Sequence, residues 1–146
     1  MEISFQAKGI IFPDIPRLPV KNWIKSVIGQ ENLIQNKVYT AGEINIILVS
    51  DQYLYELNQK YLNRNDYTDI ITFDYNEENI VNGDLVISLD RVEENANSFE
   101  ISPEKELLRV IIHGILHLMG YKDGSNAEKG VMTEKENYYL QQFKYP

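Results

Sequence analysis

Apolar residues recur with two different periods along the chain and divide it into predicted strands and helices. Runs of β-branched and apolar residues predict strands at 44–49, 70–73 and 85–87, and short strands or extended segments at 3–5 and 10–12. Apolar positions three or four residues apart indicate helices. We expect helices from about residue 19 to a stop at Gly29, around 53–61, and over 90–99, 103–120 and 127–143.

Polar and conformationally special residues mark where several of these elements begin and end. Ser50 and Ser102 are suited to capping helix N-termini, and Pro103 suits a first helical position. Gly29 and Gly120 are suitable helix stops, and residues 63–66 read as a polar loop. Without repeats or a linker, the order of elements predicts a single α+β domain over residues 1–146. It would contain a small mixed sheet of about four strands, packed with helices.

The predicted helix over residues 103–120 is apolar around most of its circumference, which is typical of a buried helix. At about 100° per residue, its polar positions fall in one stripe: Glu106, Arg109, His113, His117 and Gly120. Such a stripe predicts that the helix forms the floor of a cleft. Gly114 lies mid-helix, where glycine costs about 1 kcal/mol relative to alanine, so we expect another element to pack closely against it.

His113 and His117 are the two histidines of the chain, and Asp123 follows just beyond the predicted helix end. Residues i and i+4 share a helix face, so both imidazoles can bind one metal ion, with Asp123 as a third ligand. Three protein ligands leave a coordination position open, as in catalytic sites. The alternative is that both histidines are core residues hydrogen-bonded to their neighbours. Gly114 stands where peptidases with a His-Glu-x-x-His motif have their glutamate, so the base of that chemistry is missing.

Composition and charge narrow the choice of function. The net charge is −8, which argues mildly against a protein that coats RNA or DNA but allows an enzyme with a local basic groove. The chain has no cysteine, which excludes disulfides and suits a reducing cytoplasm. No apolar run approaches the roughly 20 residues that span a membrane, and the N-terminus lacks the pattern of a secretory signal. We therefore expect a cytoplasmic protein without membrane contact.

Residues 113–121 closely resemble the His-Gly-x-Leu-His-Leu-x-Gly-Tyr-Asp-His signature of the YbeY family. Further motifs agree in order and spacing at 57–61 (Leu-Asn-x-x-Tyr), 68–73 (Thr-Asp-Val-Leu-Ser-Phe) and 83–88 (Gly-Asp-Ile-x-Ile-Ser). Met132 and Glu136 resemble a C-terminal Met-x-x-x-Glu. The resemblance implies a cytoplasmic, zinc-dependent, single-strand-specific endoribonuclease with one ion per chain. Such an enzyme would act on ribosomal RNA, notably at the 3′ end of the small-subunit 16S RNA, and in ribosome quality control. Its partners would be single-stranded rRNA and the ribosome or its small subunit.

The chain departs from the family pattern at two positions. The third histidine ligand of the family falls on Asp123, and a set of two histidines and one carboxylate also fits iron or manganese. The arginine that follows the family's Leu-Asn-x-x-Tyr is Leu62 here. Arg64 or Arg109 is a candidate to contact a substrate phosphate in its place, although each can also be an ordinary surface charge.

The expected chemistry is metal-assisted cleavage of a phosphodiester bond, with an arginine steadying the charge of the transition state. Glu136 is a candidate to orient a ligand histidine, although a surface or core-edge role is favoured. Tyr55, Tyr67 and Tyr75, which we expect to be exposed near the loops, are candidates to stack on unpaired bases. Core packing or scattered surface placement is the favoured role for most of the tyrosines. Two alternatives stay open: a ribosome-assembly binding protein with a structural metal site, and a metal-dependent hydrolase of another substrate, such as a peptide.

Overall fold

The computed structural model describes residues 2–64 and 67–144, which form four strands and five helices. In chain order these are β1 (Glu2–Ala7), α1 (Arg17–Gln35), β2 (Thr40–Val49), α2 (Asp51–Leu62), β3 (Ile70–Asp74), β4 (Ile80–Ser88), α3 (Leu89–Phe99), α4 (Pro103–Leu118) and α5 (Asn126–Gln142). The strands form one mixed sheet in the order β1-β2-β4-β3. The predicted α+β fold is therefore confirmed.

Alternating side chains divide the sheet into two covered faces, because successive residues of a strand point to opposite sides. Ile46 of β2 and Leu85 of β4 lie in a large core with α1, α3, α4 and α5. Their sequence neighbours Ile47 and Val86 belong to a smaller cluster, under α2. Strands β1, β2 and β4 are parallel, whereas β3 pairs with β4 in the antiparallel sense and forms one edge of the sheet.

Helix α4 packs against β3 and β4 through the glycine that the sequence singled out. A Cβ atom on Gly114 would lie 2.8 Å from Leu85 Cδ2 and 3.0 Å from Ile70 Cδ1. The expected close approach is confirmed, since no larger side chain fits there without a shift of the sheet side chains. The buried apolar faces of α4 leave its polar stripe at the margin of the core.

One predicted helix end is wrong, and one of two alternatives for a segment near the N-terminus is excluded. Helix α1 continues past Gly29 to Gln35 and ends at Asn36, which adopts the left-handed conformation with φ 51°. Gly29 is not among the positive-φ residues, so it does not terminate the helix. Of the two alternatives for residues 10–12, the short strand is excluded, since β1 ends at Ala7 and the chain bends at Gly9 with φ 72°. Ile10 and Phe12 instead pack against the large core.

The other boundaries agree within a few residues, apart from two strands that begin earlier. Strand β2 starts at Thr40 and β4 at Ile80, before the predicted residues 44 and 85. Helix α4 ends at Leu118, and Gly120 follows with φ 100°. The predicted loop over residues 63–66 lies partly outside the described residues, which stop at 64 and resume at 67. In the described part of the chain, every helix is too short or too polar to span a lipid bilayer.

Candidate metal centre and its cavity

His113, His117 and Asp123 come together at the C-terminal half of α4. The Nε2 atoms of the two histidines are 3.0 Å apart. Asp123 Oδ2 lies 3.3 Å from Nε2 of His113 and 3.4 Å from Nε2 of His117. The three residues are only partly buried. The structure thus brings together the three residues that the sequence proposed as ligands.

The chain segment after α4 carries Asp123 back to the helix. Gly120 adopts φ 100°, a conformation that favours glycine, and the Tyr121 amide donates to the Leu116 carbonyl at 3.1 Å. The same turn places the Tyr121 carbonyl 2.9 Å from Nδ1 of His117, where it accepts a hydrogen bond. One backbone turn therefore both orients His117 and delivers Asp123.

His113 is oriented by Glu136 of α5. Glu136 Oε2 lies 2.6 Å from Nδ1 of His113, and the glutamate is 4% exposed. Its other oxygen, Oε1, accepts a hydrogen bond from Arg109 at 2.9 Å. Glu136 is thus buried and bonded to His113, whereas the sequence favours a surface or core-edge role. The sequence does not show this contact, because residues 23 apart in the chain meet only once α5 packs on α4.

The hydrogen bonds at Nδ1 decide what the Nε2 atoms can do. Carboxylate and carbonyl oxygens only accept, so the Nδ1 atoms of His113 and His117 donate and a neutral ring has its lone pair on Nε2. Two lone pairs and a carboxylate oxygen then face one another, an arrangement that a cation would neutralise. Donor atoms bound tetrahedrally to zinc at about 2.0–2.1 Å are about 3.3 Å apart. The residues present therefore fit a metal ion.

The surroundings of His113 also favour positive charge. Burial by itself would lower the pKa of His113. The hydrogen bond and charge of Glu136, with the charges of Asp123 and Asp69, outweigh burial and raise that pKa above its usual value. The pocket around the Nε2 atoms is thus electronegative.

The two histidines line an open cavity of about 450 Å³ between α4, β3 and the end of α2. Arg64 lines this cavity, and so does Leu62, which stands where the family has an arginine. Asp69 also lines the cavity. It was not predicted as a site residue, although it lies in the motif at 68–73, just before a predicted strand. The metal cavity, as we call it, therefore holds the candidate ligands, one arginine and two further carboxylates, those of Asp69 and Asp74.

Arg109 has a different environment from Arg64. Its Nε and NH2 atoms donate to the two oxygens of Glu106 at 2.8 and 2.5 Å, and its NH1 donates to Glu136. Hydrogen bonds and charge from Glu106, with those from Glu136, outweigh burial and raise the pKa of Arg109. Arg109 lies outside the described lining of the metal cavity. It contacts the site through Glu136.

The tyrosines proposed for base stacking lie in two places. Tyr55 and Tyr67 stack on each other, with ring centroids 4.5 Å apart, and the Arg91 guanidinium lies 5.3 Å from the Tyr67 ring centre. Tyr75 is 56% exposed and lies beyond the end of β3. Tyr55 is half-buried, so its predicted exposure is only partial.

Comparison with known proteins relates this site to a family. The sequence model of the family described as Endoribonuclease YbeY matches residues 12–144. A Flavobacterium psychrophilum protein named Endoribonuclease YbeY is 48% identical over 122 residues, covering 84% of this chain and 83% of the relative. A Parabacteroides distasonis protein of the same name is 44% identical over 140 residues, covering 96% and 94%.

A solved structure supports the same relationship. The solution structure of TM1509 from Thermotoga maritima has a TM-score of 0.61 and 32% identity to this chain, and covers 97% of this chain and 88% of its own. The motifs at the candidate metal centre and the match along nearly the whole sequence indicate the same family. This chain belongs to the YbeY endoribonuclease family.

Proposed function

We propose that this protein is a zinc-dependent endoribonuclease that cleaves single-stranded RNA. The observation that carries the proposal is the cluster of His113, His117 and Asp123 facing an open cavity of about 450 Å³. Membership of the YbeY family, whose relatives carry the name endoribonuclease, supports RNA as the substrate.

One ion per chain would be held by His113 Nε2, His117 Nε2 and a carboxylate oxygen of Asp123. Zinc is our proposed ion, and iron or manganese also suits two histidines and a carboxylate. When bound, such an ion polarises a phosphate oxygen and lowers the pKa of water. Glu136 and the Tyr121 carbonyl hold the two imidazoles in the orientation that this binding requires.

The phosphate of the substrate would be contacted by Arg64. Its exposed side chain lines the metal cavity, so the guanidinium can approach an RNA backbone there. Arg109 is the weaker candidate for this phosphate contact, because its guanidinium already donates to Glu106 and Glu136. We assign Arg109 the role of holding Glu136 against His113.

In the cell, we propose that the substrate is ribosomal RNA, with cleavage at the 3′ end of the 16S RNA and a part in ribosome quality control. The ribosome or its small subunit would be the partner, and the cytoplasm the location. Family membership is the support for these assignments. We also propose that residues 1–146 form one domain, supported by a single sheet that is covered on both faces.

A second candidate function is a ribosome-assembly binding protein whose metal is structural. The observation that favours it is Leu62, an apolar side chain lining the metal cavity at the position of the family's arginine. A metal-dependent peptidase has less support, since Gly114 replaces the glutamate that such enzymes use as a base.

The proposal is tested by metal content and RNA cleavage measured on the same preparations. Elemental mass spectrometry of tag-free protein should find about one zinc, iron or manganese ion per chain. Asp123→Ala removes one of three ligands and should lose most of the metal and of the cleavage. Asp123→His restores a third nitrogen ligand and should retain both. Lys122→Ala changes an exposed neighbour and serves as the matched control.

The outcomes separate the candidates. Metal that binds in the expected ratio, with ribosome association but no cleavage of single-stranded RNA, would favour the binding protein. Cleavage that persists unchanged in Asp123→Ala after its metal is gone would contradict the metal-dependent mechanism. Wild-type protein that takes up no added metal would return the histidines to a structural role.

A further inference from the structure

A second groove lies on the opposite face of the sheet from the metal cavity, beside α2. It has a volume of about 280 Å³ and is lined by the rings of Tyr53, Tyr61, Phe73 and Tyr75. Lys8 and Asp84 are the charged residues along it. We call it the tyrosine groove.

The tyrosine groove and the metal cavity share the edge strand as a common wall. Thr72 and Asp74 of β3 line the metal cavity, whereas Phe73 between them lines the tyrosine groove. The end of α2 repeats this division, because Leu62 lines the cavity and Tyr61 lines the groove. A strand of nucleic acid that crosses this edge of the sheet therefore passes directly from one to the other.

The tyrosine rings are accessible, and the Tyr61 ring is held by its neighbours. Tyr61 and Tyr75 are 57% and 56% exposed, and Tyr53 is 37% exposed. The Tyr61 ring packs edge-on against Phe73 with centroids 5.9 Å apart, and the Lys60 ammonium lies 5.2 Å from the Tyr61 ring centre. Aromatic rings next to a cation provide what an unpaired nucleotide needs: a surface for its base and a charge near its phosphate.

The negative charges around the groove favour a base over a phosphate within it. Asp84 lines the groove and also an adjoining acidic cavity with Glu43 and Glu77. Asp84 Oδ1 accepts a hydrogen bond from Asn45 at 2.9 Å, which holds this carboxylate beside the groove. Carboxylates repel phosphate, so an uncharged ring can enter where the polyanionic backbone cannot.

We propose that the tyrosine groove binds one unpaired base of the RNA strand whose backbone lies in the metal cavity. This inference rests on the proposed function and adds a specific contact to it. The base contacts the rings of both Tyr61 and Tyr75, and the connecting phosphates cross the sheet edge near Lys60. The groove thereby favours single-stranded RNA, because a paired base cannot leave its helix to enter it.

The test compares steady-state cleavage of a short single-stranded RNA by full-length, metal-loaded variants. Tyr61→Ala and Tyr75→Ala should each raise KM by roughly 5- to 150-fold, the range for loss of one base–aromatic stack, with kcat close to wild type. Tyr61→Phe keeps the ring and should restore KM. Tyr138→Ala removes a tyrosine of similar exposure (50%) from α5 and is the matched control.

An abasic scan of the same RNA tests whether a single base is bound. Removing the base at one position should raise KM for wild type but have little further effect on Tyr61→Ala or Tyr75→Ala. An unchanged KM in both alanine variants would overturn the groove assignment while leaving the nuclease proposal intact.

Ultraviolet crosslinking of the same RNA, mapped by mass spectrometry, distinguishes failure of the groove from failure of the nuclease. If wild type cleaves no RNA, the proposed function fails. Crosslinks to Tyr61 or Tyr75 would then still support the base-binding groove. Crosslinks confined to other residues, or none, would reject it.

Discussion

At the scale of single residues, Glu31 links α1 to the metal centre although it contacts none of the candidate ligands. Its carboxylate is fully buried and accepts hydrogen bonds from the hydroxyls of Tyr121 and Tyr139. Lys135 lies 3.1 Å from it as an ion-pair partner. Because the Tyr121 carbonyl accepts from His117, the position of Glu31 helps to fix the turn that completes the site.

We expect Glu31→Gln to destabilise the protein by about 2–3 kcal/mol at neutral pH. The amide leaves Lys135 without its ion-pair partner and places donors where the tyrosine hydroxyls already donate. Urea denaturation of wild type and variant measures the difference. Glu134→Gln, an exposed change on α5, is the control and should be close to neutral. Equal stability of Glu31→Gln and wild type would contradict this account of the buried cluster.

The stabilising effect of Glu31 should depend on pH in one direction. Burial alone would raise the pKa of Glu31, but hydrogen bonds from Tyr121 and Tyr139, with others from Gln35 and Lys135, outweigh it and lower the pKa below the usual 4.5. The unfolded state therefore binds the proton more readily than the folded state. The stability that Glu31 contributes is complete above pH 4.5 and is lost as the pH falls through the lowered value. The stability difference between wild type and Glu31→Gln should shrink over that acidic range.

The sequence predicts the three candidate ligands and names Glu136 as one that could orient them, but it misses the other residues that support the cluster. Helical spacing brings His113 and His117 together, and the short turn after the helix carries Asp123 back to them, so the whole set is local in sequence. Glu31 and Tyr121 are 90 residues apart, and their hydrogen bond depends on how α1 packs beside α4 and α5. No local period encodes that packing. Arg109 lies on the predicted polar stripe, but its pairing with Glu136 of α5 could not be read from that stripe.

At the scale of elements, we predict that alanine changes stability in opposite directions at two helix glycines, Gly114 of α4 and Gly29 of α1. Gly114→Ala would place a Cβ atom 2.8 Å from the fully buried Leu85 side chain, so we expect a net loss of about 1–2 kcal/mol despite better helix propensity. Gly29→Ala in α1 meets no atom within 4 Å and should stabilise by about 1 kcal/mol. Thermal and urea unfolding of both variants provide the measurement. Stabilisation by Gly114→Ala would show that β3 and β4 yield to the added methyl group.

Gly29 also shows why the end of α1 was predicted wrongly. Glycine often follows a helix because it adopts a left-handed conformation, but here Asn36 adopts it and Gly29 stays within the helix. Buried Glu31, beyond Gly29, is held by partners in α5 and the turn after α4, which the local sequence does not reveal. The N-caps were easier to predict, since Ser50 and Ser102 each accept from a backbone amide three residues later.

At the scale of the whole molecule, the order and direction of strands follow from long-range pairing. The apolar runs predicted a mixed sheet of about four strands but not that β4 lies between β2 and β3. That order makes β3 an edge, and the edge separates the metal cavity from the tyrosine groove. The function of β3 therefore depends on topology that the hydrophobic pattern alone does not specify.

The net charge of −8 predicts a shallow salt dependence for RNA binding. Counterion release gives a slope of about −0.7 per phosphate contact with single strands in a plot of log affinity against log salt. With Arg64, Lys8 and Lys60 as the cations near the proposed path, we expect a slope between about −0.7 and −2. Binding of a non-cleavable RNA analogue across a salt series measures it. Arg64→Ala should reduce the slope by about one contact, and a much steeper slope would imply a basic surface elsewhere.

The short span of the candidate ligand set, residues 113–123, has a consequence for folding. Ligands so close in sequence can meet before the sheet has formed, whenever this stretch becomes transiently helical. A metal ion held by this set would then bind the unfolded ensemble as well as the native state, and its stabilising effect would be smaller than its affinity for the native protein alone would give. Most of the core lies outside this stretch, so the protein should stay folded when a chelator removes the metal. Activity should then be lost on chelation and regained when metal is added back.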